Sequence, residues 1–195
     1  MICSTNEIGS TVTAAARGSG HPIGLARELG AATVALCGEH TENATDTLDA
    51  ALRACAPPER DNPELEIRER RARWSPSPVI RVAPSAFELL VAGHVDTVLL
   101  EDVDVPELLD GYASVATRRH ATTFVLDGPH ADGITVTRIG TGAGAETATG
   151  RTGGGVVVDD ATWAELRRLS ARTLVPASEE SRLRGAGTGD LTDND

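Results

Sequence analysis

Apolar and polar positions along the 195-residue chain follow two rhythms, and the clearest change from one to the other falls at Pro84-Ser-Ala-Phe-Glu-Leu-Leu-Val-Ala-Gly-His-Val-Asp-Thr-Val-Leu-Leu-Glu101. Phe87, Leu90 and Val91 share one helical face, Gly93 supplies the permissive backbone that ends a helix, and Val95 to Leu100 is a β-branched, aliphatic run. The spacing therefore predicts a helix followed by a strand. The unit recurs downstream, with a helix over Pro106 to Thr117, strands over Ala121 to Leu126 and Ile134 to Ile139, and turn chemistry in Asp127-Gly-Pro-His-Ala-Asp-Gly133 between them.

Upstream the rhythm is weaker. Ile8, Val12, Ala15 and Ala16 recur at helical spacing, but Gly9, Gly18 and Gly20 interrupt them, so a poorly fixed end is expected. Pro22 to Leu29 reads as a helix ended by Gly30, and Ala31 to Cys37 as a buried strand stopped by Gly38. Asn43 to Cys55 reads as a helix with Ala44, Leu48, Ala51, Leu52 and Cys55 on one face, ended by Pro57-Pro58. Glu59 to Arg73 is charged throughout and has few apolar anchors, which predicts a surface crossing or a solvated helix. Trp74-Ser-Pro-Ser-Pro78 then leads into a short Val79 to Val82 run. Gly140 to Gly155 lacks side chains that pack and is expected to be a mobile loop. Beyond it, Val156 to Val158 predicts a short strand, Asp159 or Asp160 caps a helix through Trp163, Leu166 and Leu169, and an acidic, glycine-rich tail follows from Gly185.

These elements define an α/β class, with helices packed on a mixed sheet and a helix-strand-helix-strand-strand unit in the second half. The organisation expected is an N-terminal α/β part over 1–58, a charged crossing or linker over 59–78, and a second α/β part over 79–195.

Composition narrows the function classes. All 18 basic residues are Arg, there is no Lys or Gln, and the net charge is −11. Such a balance argues against non-specific binding to nucleic acid or to an anionic membrane. No apolar run approaches the ~20 residues that span a bilayer, and Met1 to Glu7 lacks signal-peptide features, so the expected location is the cytoplasm. Cys3, Cys37 and Cys55 have no CxxC spacing and read as reduced, packed thiols.

The stretch Leu90-Val-Ala-Gly-His-Val-Asp-Thr-Val-Leu-Leu100 resembles a recurring segment of the archaeo-eukaryotic release factor superfamily, which includes Pelota and its bacterial relatives. Ala131-Asp-Gly-Ile-Thr-Val-Thr-Arg138 is similar to the segment that closes that family's domain. The resemblance implies a non-catalytic scaffold that acts through a ribosomal or other translation partner. Because the chain has no Gln, Gly153-Gly-Gly155 cannot stand for the Gly-Gly-Gln of the hydrolytic members, and hydrolysis of peptidyl-tRNA by that route is excluded.

Candidate sites are few. Gly93-His-Val-Asp-Thr-Val98 resembles a zinc motif of exopeptidases, but the further ligands have no counterpart, so His94 is read at a helix end and Asp96 on a strand edge. His120, Asp127, His130 and Asp132 surround a turn that more often serves the backbone than a metal. No catalytic residue, metal or cofactor is assigned. The one ligand site proposed from residues alone is an anion site built by Ser181, Arg182 and Arg184, which makes a small-molecule binding protein or enzyme the alternative function. Arg68, Arg70, Arg71 and Arg73 form the densest basic cluster.

Overall fold

A computed structural model describes residues 1–39, 44–57, 62–130, 133–141 and 155–173. The elements in chain order are β1 (Ile2–Cys3), α1 (Thr5–Gly18), α2 (Ile23–Glu39), α3 (Thr45–Ala54), β2 (Glu64–Arg68), β3 (Arg71–Ser75), α4 (Val79–Val91) and β4 (Thr97–Leu100). A 3₁₀ turn (Pro106–Leu108) then leads into α5 (Leu109–His120), β5 (Thr122–His130), β6 (Gly133–Thr141), β7 (Val156–Val157) and α6 (Asp160–Ala171). The α/β class is confirmed: a five-stranded mixed sheet of order β2-β3-β4-β6-β5 packs against helices, and β1 pairs with β7 in a separate antiparallel ladder. Within the larger sheet only β3 and β4 run parallel, joined through α4. Among the described residues no helix is long and apolar enough to cross a membrane.

The N-terminal segment is firmly held, contrary to the expectation for residues 1 to 20. Ser4 and Glu7 form a capping box, with the Glu7 N–H donating to Ser4 Oγ at 3.2 Å and the Ser4 N–H donating to Glu7 Oε2 at 2.9 Å. Ile8, Val12, Ala15 and Ala16 are all fully buried. Gly9 and Gly18, which weaken α1 in isolation, are sites of close packing: a Cβ on Gly9 would lie 2.9 Å from Val34 Cγ2 of α2 and one on Gly18 1.9 Å from the Leu169 carbonyl oxygen of α6, and in α2 a Cβ on Gly30 would lie 2.3 Å from Thr13 Oγ1. Gly30 thus continues α2 instead of ending it. Ala31 to Cys37 is the second half of that helix and not a strand.

The charged stretch is also corrected. Residues 64–68 and 71–75 form a hairpin whose turn residues Glu69 and Arg70 have φ of 47° and 63°, so neither a crossing nor a solvated helix is present there. Its arginines are largely paired. Arg70 donates to both carboxylate oxygens of Asp96 at 2.8 and 2.7 Å, Arg73 to both of Glu101 at 2.8 Å, and Arg68 pairs with Glu66. The cluster is therefore an ion-paired lattice on the sheet and not a cationic patch.

The second half follows its pattern closely, except that β5 runs on through Asp127-Gly-Pro-His130, where the sequence predicts turn chemistry. α4 begins earlier than its proline suggests, at Val79, and takes in both the Val79 to Val82 run and Pro84. It ends in a Schellman motif, in which the His94 N–H donates to the Leu89 carbonyl, the Gly93 N–H to that of Leu90, and Gly93 adopts φ 71°. Asp159 caps α6 through the Ala161 and Thr162 N–H groups at 2.9 Å. Most of the Gly140 to Gly155 segment lies outside the described residues, as do Ser181, Arg182, Arg184 and the acidic tail.

Candidate functional site

The close of α1 builds the first wall of a cleft. After Gly18 the chain makes a second Schellman cap: Gly20 adopts φ 99° and donates to the Arg17 carbonyl at 2.9 Å, and the His21 N–H donates to that of Ala16 at 3.0 Å. This geometry turns His21 inward, where only 5% of it is exposed. Its Nε2 lies 2.9 Å from the carbonyl oxygen of Ala56, just beyond α3. A carbonyl can only accept, so Nε2 carries the hydrogen, and in the uncharged ring Nδ1 is left with a lone pair. That Nδ1 is buried and has no partner, one of three such side-chain atoms among the described residues, with Ser19 Oγ and Tyr112 Oη.

The opposite wall comes from the carboxyl ends of β3 and β4. Pro76, Pro78, Ile80 and Arg81 follow β3 into the first turn of α4, and Asp102, Asp104 and Val105 follow β4. With His21, Arg53, Ala54, Ala56 and Pro57 they enclose about 400 Å³. Asp104 Oδ1 accepts from the N–H groups of Val79 at 2.7 Å and Val105 at 2.8 Å, which fixes the start of α4 against the segment after β4. Asp102 holds φ 49°, an uncommon backbone state for a residue with a side chain. Arg81 Nη2 donates to Asn62 Oδ1 at 2.9 Å, and Arg53 Nη2 to Glu107 Oε1 at 3.0 Å. Glu107 is held below the usual carboxylate range by its own backbone N–H and by Arg53.

The cleft therefore offers two guanidinium groups and a carboxylate against walls of proline, alanine and isoleucine, with the buried His21 ring beside them. Two larger depressions, of about 570 Å³ over α1 and α2 and about 630 Å³ on the outer face of β3 and β4, contain no buried polar side chain.

Among the described residues, none of the candidate site residues singled out from the sequence lines this cleft. Asp96 is the partner of Arg70, and this ion pair holds its carboxyl below the usual range. His120 Nε2 sits 3.3 Å from Glu88 Oε1. Asp132 and the His130 side chain lie outside the described residues. Among the described residues no three His, Cys, Asp or Glu side chains are grouped to hold a metal ion. Cys3, Cys37 and Cys55 are buried free thiols, and burial pushes Cys37 up to about 11 and Cys55 up to about 12. The signal missed in the sequence is Arg17-Gly-Ser-Gly-His-Pro22, where a histidine is clamped between a left-handed glycine and a proline that opens the next helix.

Residues 3–85 match a family model described as a protein of unknown function (DUF3726). The match spans β1 through the first half of α4 and takes in His21, Arg53 and Arg81, but it covers less than half of the chain. No curated protein and no solved structure matches. The family match overturns the release-factor resemblance, since it falls on the other half of the chain and no release-factor family matches. The residues that carried that resemblance have local structural roles: Gly93 closes α4, Asp96 binds Arg70, and Arg138 Nη1 donates to the Val91 carbonyl at 3.2 Å. A helix, a left-handed glycine and an aliphatic strand make a junction that many α/β folds need.

Proposed function

We propose that this protein binds a small acid that carries a neighbouring amino or hydroxyl group, held in the cleft between His21 and the carboxyl ends of β3 and β4. The observation that carries the reading is the buried, unpartnered His21 Nδ1. A buried acceptor without a partner costs about 1–3 kcal/mol, and a ligand N–H or O–H would remove that cost. Arg81 lines the same space and suits the acid group, while Asp102 suits an ammonium on the ligand. A volume of about 400 Å³ suits a compact metabolite. The location agrees with the general rule that open α/β sheets bind ligands in crevices outside the carboxyl ends of their strands.

The test is a thermal-shift and calorimetric panel of α-amino and α-hydroxy acids, each beside its methyl ester and its decarboxylated amine or alcohol. Acids bearing both groups are expected to raise the melting temperature, and their derivatives to do so much less. Arg81→Ala should weaken the best of them at least ~10-fold, the loss of about 1.4 kcal/mol or more from a charge-assisted contact. Equal binding of acids and esters, or indifference to Arg81→Ala, would exclude the reading.

A further inference from the structure

The structure also carries an interaction surface, independent of the cleft. β2 is one outer edge of the five-stranded sheet. It pairs with β3 in an unbroken register from Glu64↔Ser75 to Arg68↔Arg71, and its other side has no strand partner among the described residues. All five of its residues are exposed, including Leu65 at 47% and Ile67 at 49%. The opposite edge strand, β5, is blunted in ways that discourage pairing: its register breaks between Thr123 and Phe124 and again between Asp127 and His130, and Pro129 lies within it. β2 has no bulge and no proline.

The charge pattern of Glu64-Leu-Glu-Ile-Arg68 says what covers this edge. In an antiparallel pair of two such strands related by a two-fold axis at Glu66, Glu64 faces Arg68 of the other copy at both ends, and Leu65 faces Ile67 on the side that bears the helices. The axial Glu66 residues are each ion-paired to Arg68 and, at 3.9 Å, to Arg73 within their own chain. A register moved by one residue pair toward the turn sets Leu65 against Glu69, whose left-handed backbone lies outside the strand. Moved the other way, it sets Glu64 against Glu66. We propose that β2 pairs with β2 of a second copy of this chain in the Glu66-centred register, forming an isologous dimer with a continuous ten-stranded sheet.

Light scattering after gel filtration, over a dilution series of the full chain, tests this through charge reversal. Wild type should run at twice the 20.3 kDa chain mass and dissociate on dilution. Glu64→Arg and Arg68→Glu should each halve the mass with unchanged circular dichroism, because each sets like charges together at both ends. An equimolar mixture of the two, and the double variant, should both return to twice the chain mass. As a second measurement, Glu66→Cys should cross-link at the axis under mild oxidation, whereas Thr123→Cys on the other edge should not. A wild type that stays at the single-chain mass, reversals that leave the dimer intact, or a Glu66→Cys that fails to cross-link would overturn the proposal.

Discussion

Gly18→Ala is expected to lower stability by about 3 kcal/mol, a drop of roughly 6–12 °C in the melting midpoint of a domain of this size. The added methyl would lie 1.9 Å from the Leu169 carbonyl oxygen and 2.9 Å from its carbon. Those atoms are backbone within α6 and cannot move aside without carrying the helix with them. Gly24→Ala supplies the control, since its Cβ would meet nothing within 4 Å and Gly24 lies in the exposed first turn of α2. There the helix preference of alanine should add up to about 1 kcal/mol. Thermal denaturation of the two variants should therefore move in opposite directions, and a Gly18→Ala midpoint equal to wild type would show that α1 and α6 are not packed as described.

Phe87→Ala should cost about 4 kcal/mol. Phe87 is 3% exposed, and its ring meets that of Phe124 edge to face, with centroids 4.9 Å apart and planes at 81°. These are the only two phenylalanines in the chain. Their contact joins α4 to β5, so its loss removes apolar burial, an aromatic pair of about 0.5–1.5 kcal/mol and a link between helix and sheet edge. A double-mutant cycle with Phe124→Leu, measured by urea denaturation, should report a coupling in that range, and additive losses would remove the pair from the account.

How far the fold was legible depended on how local its signals are. Gly93, Pro106 and Asp159 each sit at the boundary they define, so α4's end, the start of the 3₁₀ turn that leads into α5 and the cap of α6 could be read in place. Gly9, Gly18 and Gly30 misled because their role is contact with another helix, and a glycine that admits a neighbour looks the same in sequence as one that breaks a helix. Ala31 to Cys37 is apolar on all sides, and such a run fits a buried helix or a buried strand equally well. The β2-β3 hairpin was hidden for a different reason. Its left-handed turn is made by Glu69 and Arg70, without the glycine or asparagine that marks such turns, and the pairing of Arg70 with Asp96, 26 residues away, helps to hold it. α4's true start was hidden in the same way, since the carboxylate that caps Val79 belongs to Asp104, 25 residues downstream.

The cleft was the least legible feature. Its lining comes from the α1-α2 turn, the end of α3, the start of α4 and the segment after β4, and no two of its polar groups form a recognisable spacing. His21 reads in sequence as a lone histidine beside a proline. What makes it a site is burial by the glycine cap before it and a carbonyl 35 residues away that claims one nitrogen and leaves the other unpaired.

The state of that second nitrogen is the most direct test of the account, and a long-range ¹H–¹⁵N correlation spectrum of the His21 ring, assigned against His21→Gln, reads it. The ring, where uncharged, should show the Nε2–H tautomer, and the Nδ1 resonance should shift when the best acid from the ligand panel is added, with little change at Nε2. An Nδ1–H tautomer, or an Nδ1 resonance indifferent to saturating ligand, would contradict it.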